Sequence, residues 1–174
     1  MPAFEHRSPV FVGPTNGRTA RVLQITDPHL MADAGGELLG IRTRDSLDAV
    51  VQCARRHYDN PDLLLATGDL AQDASETAYQ EFARQVSVFD CPESWVAGNH
   101  DDSKLLTEVA ERYNAAGRHL LIGQWQVIML DSSVKGEVYG YLDPEELSFL
   151  QDALAAYPDR PALVSLHHHP VDID

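Results

Sequence analysis

Apolar positions along this chain fall in short blocks whose spacing switches repeatedly between the period of a strand and that of a helix. Arg21 to Thr26 (RVLQIT) has strand composition and stops at Asp27-Pro28, because the residue before a proline avoids helical backbone. From Asp45 the apolar residues Leu47, Val50, Val51, Ala54 and Tyr58 follow helical spacing, and Pro61 lies just past their end. Asp62 to Thr67 (DLLLAT) is a continuous apolar run, as expected of a strand buried on both faces in a parallel sheet. Ser75, a good N-cap, predicts a helix to about Val88 with Tyr79, Phe82 and Val86 inward. Ser94 to Ala97 reads as the next strand, and Ser103 as the cap of a helix to about Tyr113.

The pattern continues into the second half. His119 to Ile122 and Gln124 to Leu130 read as adjacent strands joined near Gly123, with Asp131 at the end of the second. Asp143 at a cap, Pro144 at the first helical position and Glu146 at the third predict a helix, with Leu147, Leu150, Leu154 and Ala155 on its buried face. Ala162 to Leu166 is a further strand ending in His167. Residues 1–20, rich in Pro and Gly, read as a loose lead-in with a short strand at Val10 to Val12. Without repeats or linkers, residues 21–174 read as one α/β domain of alternating strands and helices.

Composition narrows the class of protein. A length of 174 residues suits one domain with a sizeable core. The apolar runs are too short to span a bilayer, and Glu5, Pro9, Gly13 and Pro14 interrupt the amino terminus where a secretory leader would need a long apolar stretch. Cys53 and Cys91 lack CxxC spacing, so free thiols in a reducing cytoplasm are expected. The 27 acidic against 13 basic residues leave a net charge of −14, which repels long nucleic acid and anionic membrane. A small phosphate ester is still admissible if metal cations reverse the field locally.

The candidate chemistry sits where strands stop. Asp27 and His29, then Gly68-Asp69, then Gly98-Asn99-His100-Asp101, then His167-His168-His169 each follow a predicted strand, and ligands of open α/β sheets gather outside the carboxyl ends of the strands. If the chain stays extended through Pro28, the Asp27 and His29 side chains point to one side. The glycines before Asp69 and Asn99 would let backbone come close to an ion or phosphate. Carboxylate, amide oxygen and imidazole together suit manganese, iron or zinc better than calcium or magnesium. Asp69 has two oxygens with which to bridge two ions ~3.5–4 Å apart, a recurrent device for phosphoester hydrolysis. Each residue also has a plainer role open to it. Asp27 and Asp69 would serve as turn caps, His29 as a surface residue, Asn99 as a left-handed position and His100 to Asp102 as a solvated loop end, while Asp73 and Asp131 read as loop-holding residues. One metal site accounts for all the strand ends at once.

The strings ITDPHL, LLATGDLAQD, AGNHD, LDSS and LHHHPV, in this order, resemble the calcineurin-like metallophosphoesterases, and within them the bacterial class III cyclic nucleotide phosphodiesterases. The similarity runs from about Val22 to the last residue. It implies a four-layer αββα sandwich of mixed sheets, the second sheet incomplete in this chain, holding two divalent metal ions (iron, manganese or zinc). By the resemblance, Asp27, His29 and Asp69 hold the first ion and Asp69, Asn99 and His167 the second. The implied substrate is 3′,5′-cyclic AMP, opened to 5′-AMP by in-line attack of a hydroxide shared by the ions, with another small phosphodiester or phosphomonoester as the alternative. His100, not itself a ligand, would contact the phosphate and help protonate the departing 3′ oxygen, oriented by Asp101. His29, Asn99 and His168 are the other expected substrate contacts. The family also has a GHxH motif that supplies a ligand to each metal, and the sequence reaches Asp174 without one. The expectation is therefore three of four ligands at each metal in an incomplete copy of a longer protein, either still a cytoplasmic hydrolase of a small nucleotide or a non-catalytic metal-binding chain.

Overall fold

Alternation along three parallel strands explains how the layers form. The computed structural model describes residues 9–13, 19–58 and 60–171. Its elements run β1 (Val10–Val12), β2 (Val22–Ile25), β3 (Glu37–Leu38), β4 (Ile41–Arg42), α1 (Thr43–His57), β5 (Leu63–Thr67), α2 (Glu76–Val86), β6 (Glu93–Val96), α3 (Ser103–Arg112), β7 (His119–Ile122), β8 (Trp125–Met129), α4 (Pro144–Ala156) and β9 (Ala162–Ser165). One sheet has the order β2-β5-β6, all parallel; a second, mixed sheet has the order β1-β7-β8-β9. β5 is central and buried at every position, as its unbroken apolar run anticipates.

Successive side chains of a strand face opposite ways, so each strand feeds two layers. Leu63 and Leu65 of β5 join Val12, Val96, Leu120, Ile122, Val127 and Met129 in the core between the two sheets. Leu64 and Ala66 face the other way, into the core under α1, α2 and α3, where Tyr79, Phe82, Val86, Leu106 and Val109 are buried. On β8 the same alternation sends Ile128 and Leu130 outward to Ala153 of α4, with Phe149, Leu150 and Leu142 packed alongside. The result is helices, sheet, sheet, helix: the αββα sandwich expected from the resemblance. β9 forms one edge of the second sheet, with Leu163 and Val164 partly open to solvent. Among the described residues no helix is long and apolar enough to cross a membrane, and Cys53 and Cys91 are both free.

Several element details differ from the sequence reading. α1 begins two residues before Asp45 and buries only Thr43, Leu47 and Val51; Val50 and Tyr58 are exposed. This helix packs at the margin of its layer, against α2 and β4, so the covered stripe is narrow. Between the first predicted strand and the helix from Asp45, β3 and β4 pair as a two-stranded hairpin that turns through left-handed Leu39 and Gly40. The cap of α3 is Asp102, whose Oδ1 accepts the Leu105 N–H at 3.0 Å, whereas the Ser103 hydroxyl donates to Asp131. On α4, Leu147, Leu154 and Ala155 are exposed, and the covered face runs through Phe149, Leu150 and Ala153 instead. Apolar residues lie on two sides of this helix, so periodicity alone left the choice of face to the sheet it packs on. The Ser75 cap, Val10 to Val12 and the inward Tyr79, Phe82 and Val86 are as expected. Of the expected lead-in, residues 1–8 and 14–18 lie outside the described residues.

Candidate metal centre

The loops after β2 and β5 are joined to each other beyond the point where the strands end. Asp27 N–H donates to the Gly68 carbonyl, His29 N–H to the Asp69 carbonyl and Leu30 N–H to the Leu70 carbonyl, each at 3.0 Å, and Gln72 N–H returns to the Leu30 carbonyl at 2.8 Å. Along this seam Asp27 (φ 55°), His29 (φ 46°) and Asp69 (φ 51°) all take left-handed backbone. The chain therefore does not stay extended through Pro28; it curls at both residues, and the curl turns their side chains together. Non-glycine residues in this region cost of order 1–3 kcal/mol each and persist only where the surroundings over-determine them, which is characteristic of ligand-holding sites.

Asp69, only 4% exposed, is at the middle of the cluster. Its Oδ2 lies 3.6 Å from His29 Nε2, its Oδ1 3.6 Å from His167 Nε2, and His29 Nε2 lies 3.7 Å from Asp27 Oδ1. These separations are too long for hydrogen bonds. They match two donor atoms that each sit ~2.0–2.2 Å from a common cation. The His167 Nδ1 nitrogen is 2.9 Å from the Thr67 carbonyl oxygen. A carbonyl only accepts, so the proton is on Nδ1 and Nε2 presents its lone pair toward Asp69, the outer-shell arrangement usual for a metal-binding imidazole. Donor atoms of Asp27, Asp69 and His167 lie within 4.8 Å of one another, as do those of His29, Asp69 and His100. Asp69 belongs to both groups. The second group adds His100 beside His29, which the sequence reading kept out of the ligand set.

The two glycines have a different purpose from the one expected of them. A Cβ on Gly68, whose φ is +102°, would lie 2.5 Å from His167 Nδ1 and 2.8 Å from the Gly98 Cα; one on Gly98 would strike the Asp69 carboxylate. The space they leave is filled by the ligand side chains themselves rather than kept for an ion or phosphate.

The loop after β6 is bonded to Asp69 through its backbone. Asn99 is half-buried and lies between Gly98 and His100, and the His100 N–H donates to Asp69 Oδ1 at 2.9 Å. Asn99 does not adopt left-handed backbone, so that plainer role does not apply. Asp101 is not the residue that orients His100. Its carboxylate accepts the backbone N–H groups of Leu70 (3.2 Å), Ala71 (2.9 Å) and Gly98 (2.9 Å), clamping the β6 loop to the β5 loop. Burial pushes the Asp101 carboxyl above its ordinary range, against the opposing pull of those amides. The His100 ring contacts Gln72 instead, its Nδ1 lying 3.1 Å from the Gln72 side-chain nitrogen Nε2, and it stands edge-on to His29 with centroids 5.1 Å apart.

His168 Nδ1 is 2.8 Å from Ser132 Oγ, and its ring stands edge-on to His167. Burial, with help from neighbouring His167, lowers its basicity. His169 is exposed because β9 ends at Ser165 and alternation stops there. Asp73 and Asp131 hold loops as expected: Asp73 accepts the Ala32 and Ser75 amides at 2.9 and 3.2 Å, and Asp131 binds Ser103 and Ser133. The sequence reading gave no role to Gln72, Thr67 or Ser132. Gln72 nevertheless lies within the LLATGDLAQD segment, three residues after Asp69.

A four-layer sandwich with a twice-facing aspartate at its strand ends defines a class of metal-dependent hydrolases. The chain belongs to the calcineurin-like phosphoesterase family, whose profile matches residues 20–173. Members of this family use divalent metals, and the groups around Asp69 are candidate ligands for them. Over 153 residues the chain is 42% identical to the 3′,5′-cyclic adenosine monophosphate phosphodiesterase CpdA of Escherichia coli K12, covering 87% of this chain and 56% of that protein. It is 39% identical over 160 residues to CpdA of Pseudomonas aeruginosa, covering 92% and 59%. A 3′,5′-cyclic-nucleotide phosphodiesterase of a Nostoc species is 34% identical over 154 residues, covering 88% and 58%. The chain thus spans a little under three fifths of the length of these curated relatives.

Proposed function

We propose that this protein hydrolyses 3′,5′-cyclic AMP to 5′-AMP at a pair of divalent cations bridged by Asp69. The observation that carries this reading is the placement of the Asp69 oxygens, each 3.6 Å from a different imidazole nitrogen. Relatives named as cyclic AMP phosphodiesterases at 39–42% identity support the substrate.

In this reading Asp27, His29 and Asp69 hold one ion and Asp69, Asn99 and His167 the other, with iron, manganese or zinc suited to the mixed donors. Bound ions supply positive charge to the phosphate and lower the pKa of water toward ≈ 7, so no strong protein base is needed. They also reverse the local field of a chain whose net charge is −14. The protein's own contribution is orientation. Thr67 sets the His167 tautomer, Asp101 locks the β6 loop against the β5 loop, and His100 and His168 lie beside the ligands where a phosphate and its substituents would rest. A small nucleotide substrate and a cytoplasmic location fit the acidic charge and the free thiols.

The test is turnover of cyclic AMP by the chain with manganese, beside an acyclic phosphodiester and a phosphomonoester, in wild type and Asp69→Ala. Hydrolysis of cyclic AMP that disappears in the variant is expected. Preference for one of the other esters would move the assignment to that substrate, and equal rates in wild type and variant would remove the bridge. Metal binding without any turnover would favour the non-catalytic alternative.

A further inference from the structure

We propose that Gln72 is a positioning residue that holds the His100 ring as the neutral tautomer protonated at Nε2, a fixed N–H donor for a phosphate oxygen. The proposal rests on the phosphodiesterase reading for its catalytic meaning, though the tautomer itself is a property of the protein alone.

The geometry is specific. The Gln72 amide nitrogen lies 3.1 Å from His100 Nδ1. An amide NH₂ group donates and does not accept, so Nδ1 must supply the lone pair and the neutral ring must carry its proton on Nε2. Turning the amide over would exchange one buried orphan for a worse one. Among the described residues the carbonyl Oε1 of this side chain has no partner; reversed, the amino group with its two donors would take that place. Gln72 is not free to drift either, since its own N–H is bonded to the Leu30 carbonyl at 2.8 Å and the following Asp73 caps the Ala32 and Ser75 amides. The residue is also anchored by its backbone N–H, which donates to Asp69 Oδ1 at 2.9 Å, and the ring by its edge-on contact with His29.

Two consequences follow. With Nδ1 accepting from Gln72 and Nε2 protonated, His100 has no lone pair left for a cation, so the His29, Asp69 and His100 group is not a third metal site. The ring is also a hydrogen-bond donor to the phosphate, and the proton that the departing 3′ oxygen takes up comes from the attacking water. A neutral histidine used as an N–H donor to a developing oxyanion is an established catalytic device.

The experiment is long-range ¹H–¹⁵N correlation of ¹⁵N-histidine-labelled protein loaded with diamagnetic zinc, near neutral pH, with the His100 signals assigned by their loss in His100→Gln. In wild type the expected His100 pattern is Nε2–H with an unprotonated Nδ1. Gln72→Ala should mix the two tautomers, and the near-isosteric Gln72→Glu, which accepts from Nδ1, should move the proton to that side. On cyclic AMP, Gln72→Ala should lower kcat about tenfold, the lower end of an outer-shell effect, with KM within twofold. A wild-type ring protonated at Nδ1, or identical tautomer patterns in all three proteins, would overturn the proposal. If wild type shows the Nε2–H pattern and the variants shift it while no protein turns over cyclic AMP, the phosphodiesterase reading fails and the placement by Gln72 stands.

Discussion

His167 Nε2 faces Asp69 Oδ1 at 3.6 Å while the other nitrogen of the same ring is committed to the Thr67 carbonyl at 2.9 Å. One bond thus decides which atom of a residue on β9's far side is offered to a carboxylate at the end of β5. The pair is separated by nearly a hundred positions along the chain and is brought together by the stacking of two sheets.

If that arrangement serves a cation, metal should stabilise the fold. Adding manganese at about 100 times its Kd is expected to raise the unfolding free energy of wild type by ≈ 2.7 kcal/mol, and Asp69→Asn should abolish most of the gain. Turnover of cyclic AMP in the variant should fall by more than the ~10–100-fold typical of an outer-shell change. Thermal unfolding with and without the ion, together with metal content, checks both. A variant stabilised as strongly as wild type would show that Asp69 is not a ligand.

Gly68→Ala should weaken the site and the fold together. The added Cβ meets the His167 ring and the Gly98 backbone, and φ of +102° is hostile to any L side chain. The expected cost is about 1–3 kcal/mol for the backbone strain alone, with reduced metal affinity as His167 is pushed off its position. Urea denaturation and metal titration measure the two effects separately.

Asp101→Asn tests the clamp between the β5 and β6 loops. The amide side chain cannot accept the three backbone N–H groups of Leu70, Ala71 and Gly98 as well as a carboxylate does. Stability should fall by about 2–3 kcal/mol, as expected when charge-assisted hydrogen bonds are lost in a buried setting. The His100 ring should keep its Nε2–H tautomer, because Gln72 and not Asp101 holds it. A tautomer change in this variant would restore the orienting role to Asp101.

Away from the site, Glu81 gives the fold a defined acid sensitivity. The hydrogen bond from Arg84, aided by Gln85 and Arg44 and opposed by burial, holds its carboxyl down at about 2. A folded pKa below the ordinary value of 4.5 contributes stability that is complete above about pH 4.5 and is lost as pH falls toward 2. Because the Arg84 side chain is 67% exposed, the contribution is discounted for solvent to about 1–2 kcal/mol. Glu81→Gln should therefore unfold more easily than wild type at pH 7, with the gap closing on acidification through that window. Denaturation curves at pH 7, 4 and 2.5 would show it, and a gap constant with pH would refute the linkage.

Local pattern alone determined the main helices and strands, though not the β3/β4 hairpin, and the strand ends at which Asp27, His29, Asp69, Asn99 and His167 lie, because apolar runs and helical spacing are properties of a few neighbouring residues. The central burial of β5, the Ser75 cap and the inward face of α2 were legible for that reason. Tertiary structure decided what depends on where distant backbone arrives. The Gly68 and Asp69 carbonyls bond Asp27 and His29 through their left-handed turn. The amides of Leu70 and Ala71 draw Asp101 away from His100, and the β5 loop brings Gln72 to that ring in its place. The second sheet likewise selects which apolar side of α4 is covered. Hydrogen-bond donors and packing surfaces contributed by segments far apart in sequence leave no local periodicity, so they became visible only when the chain was folded.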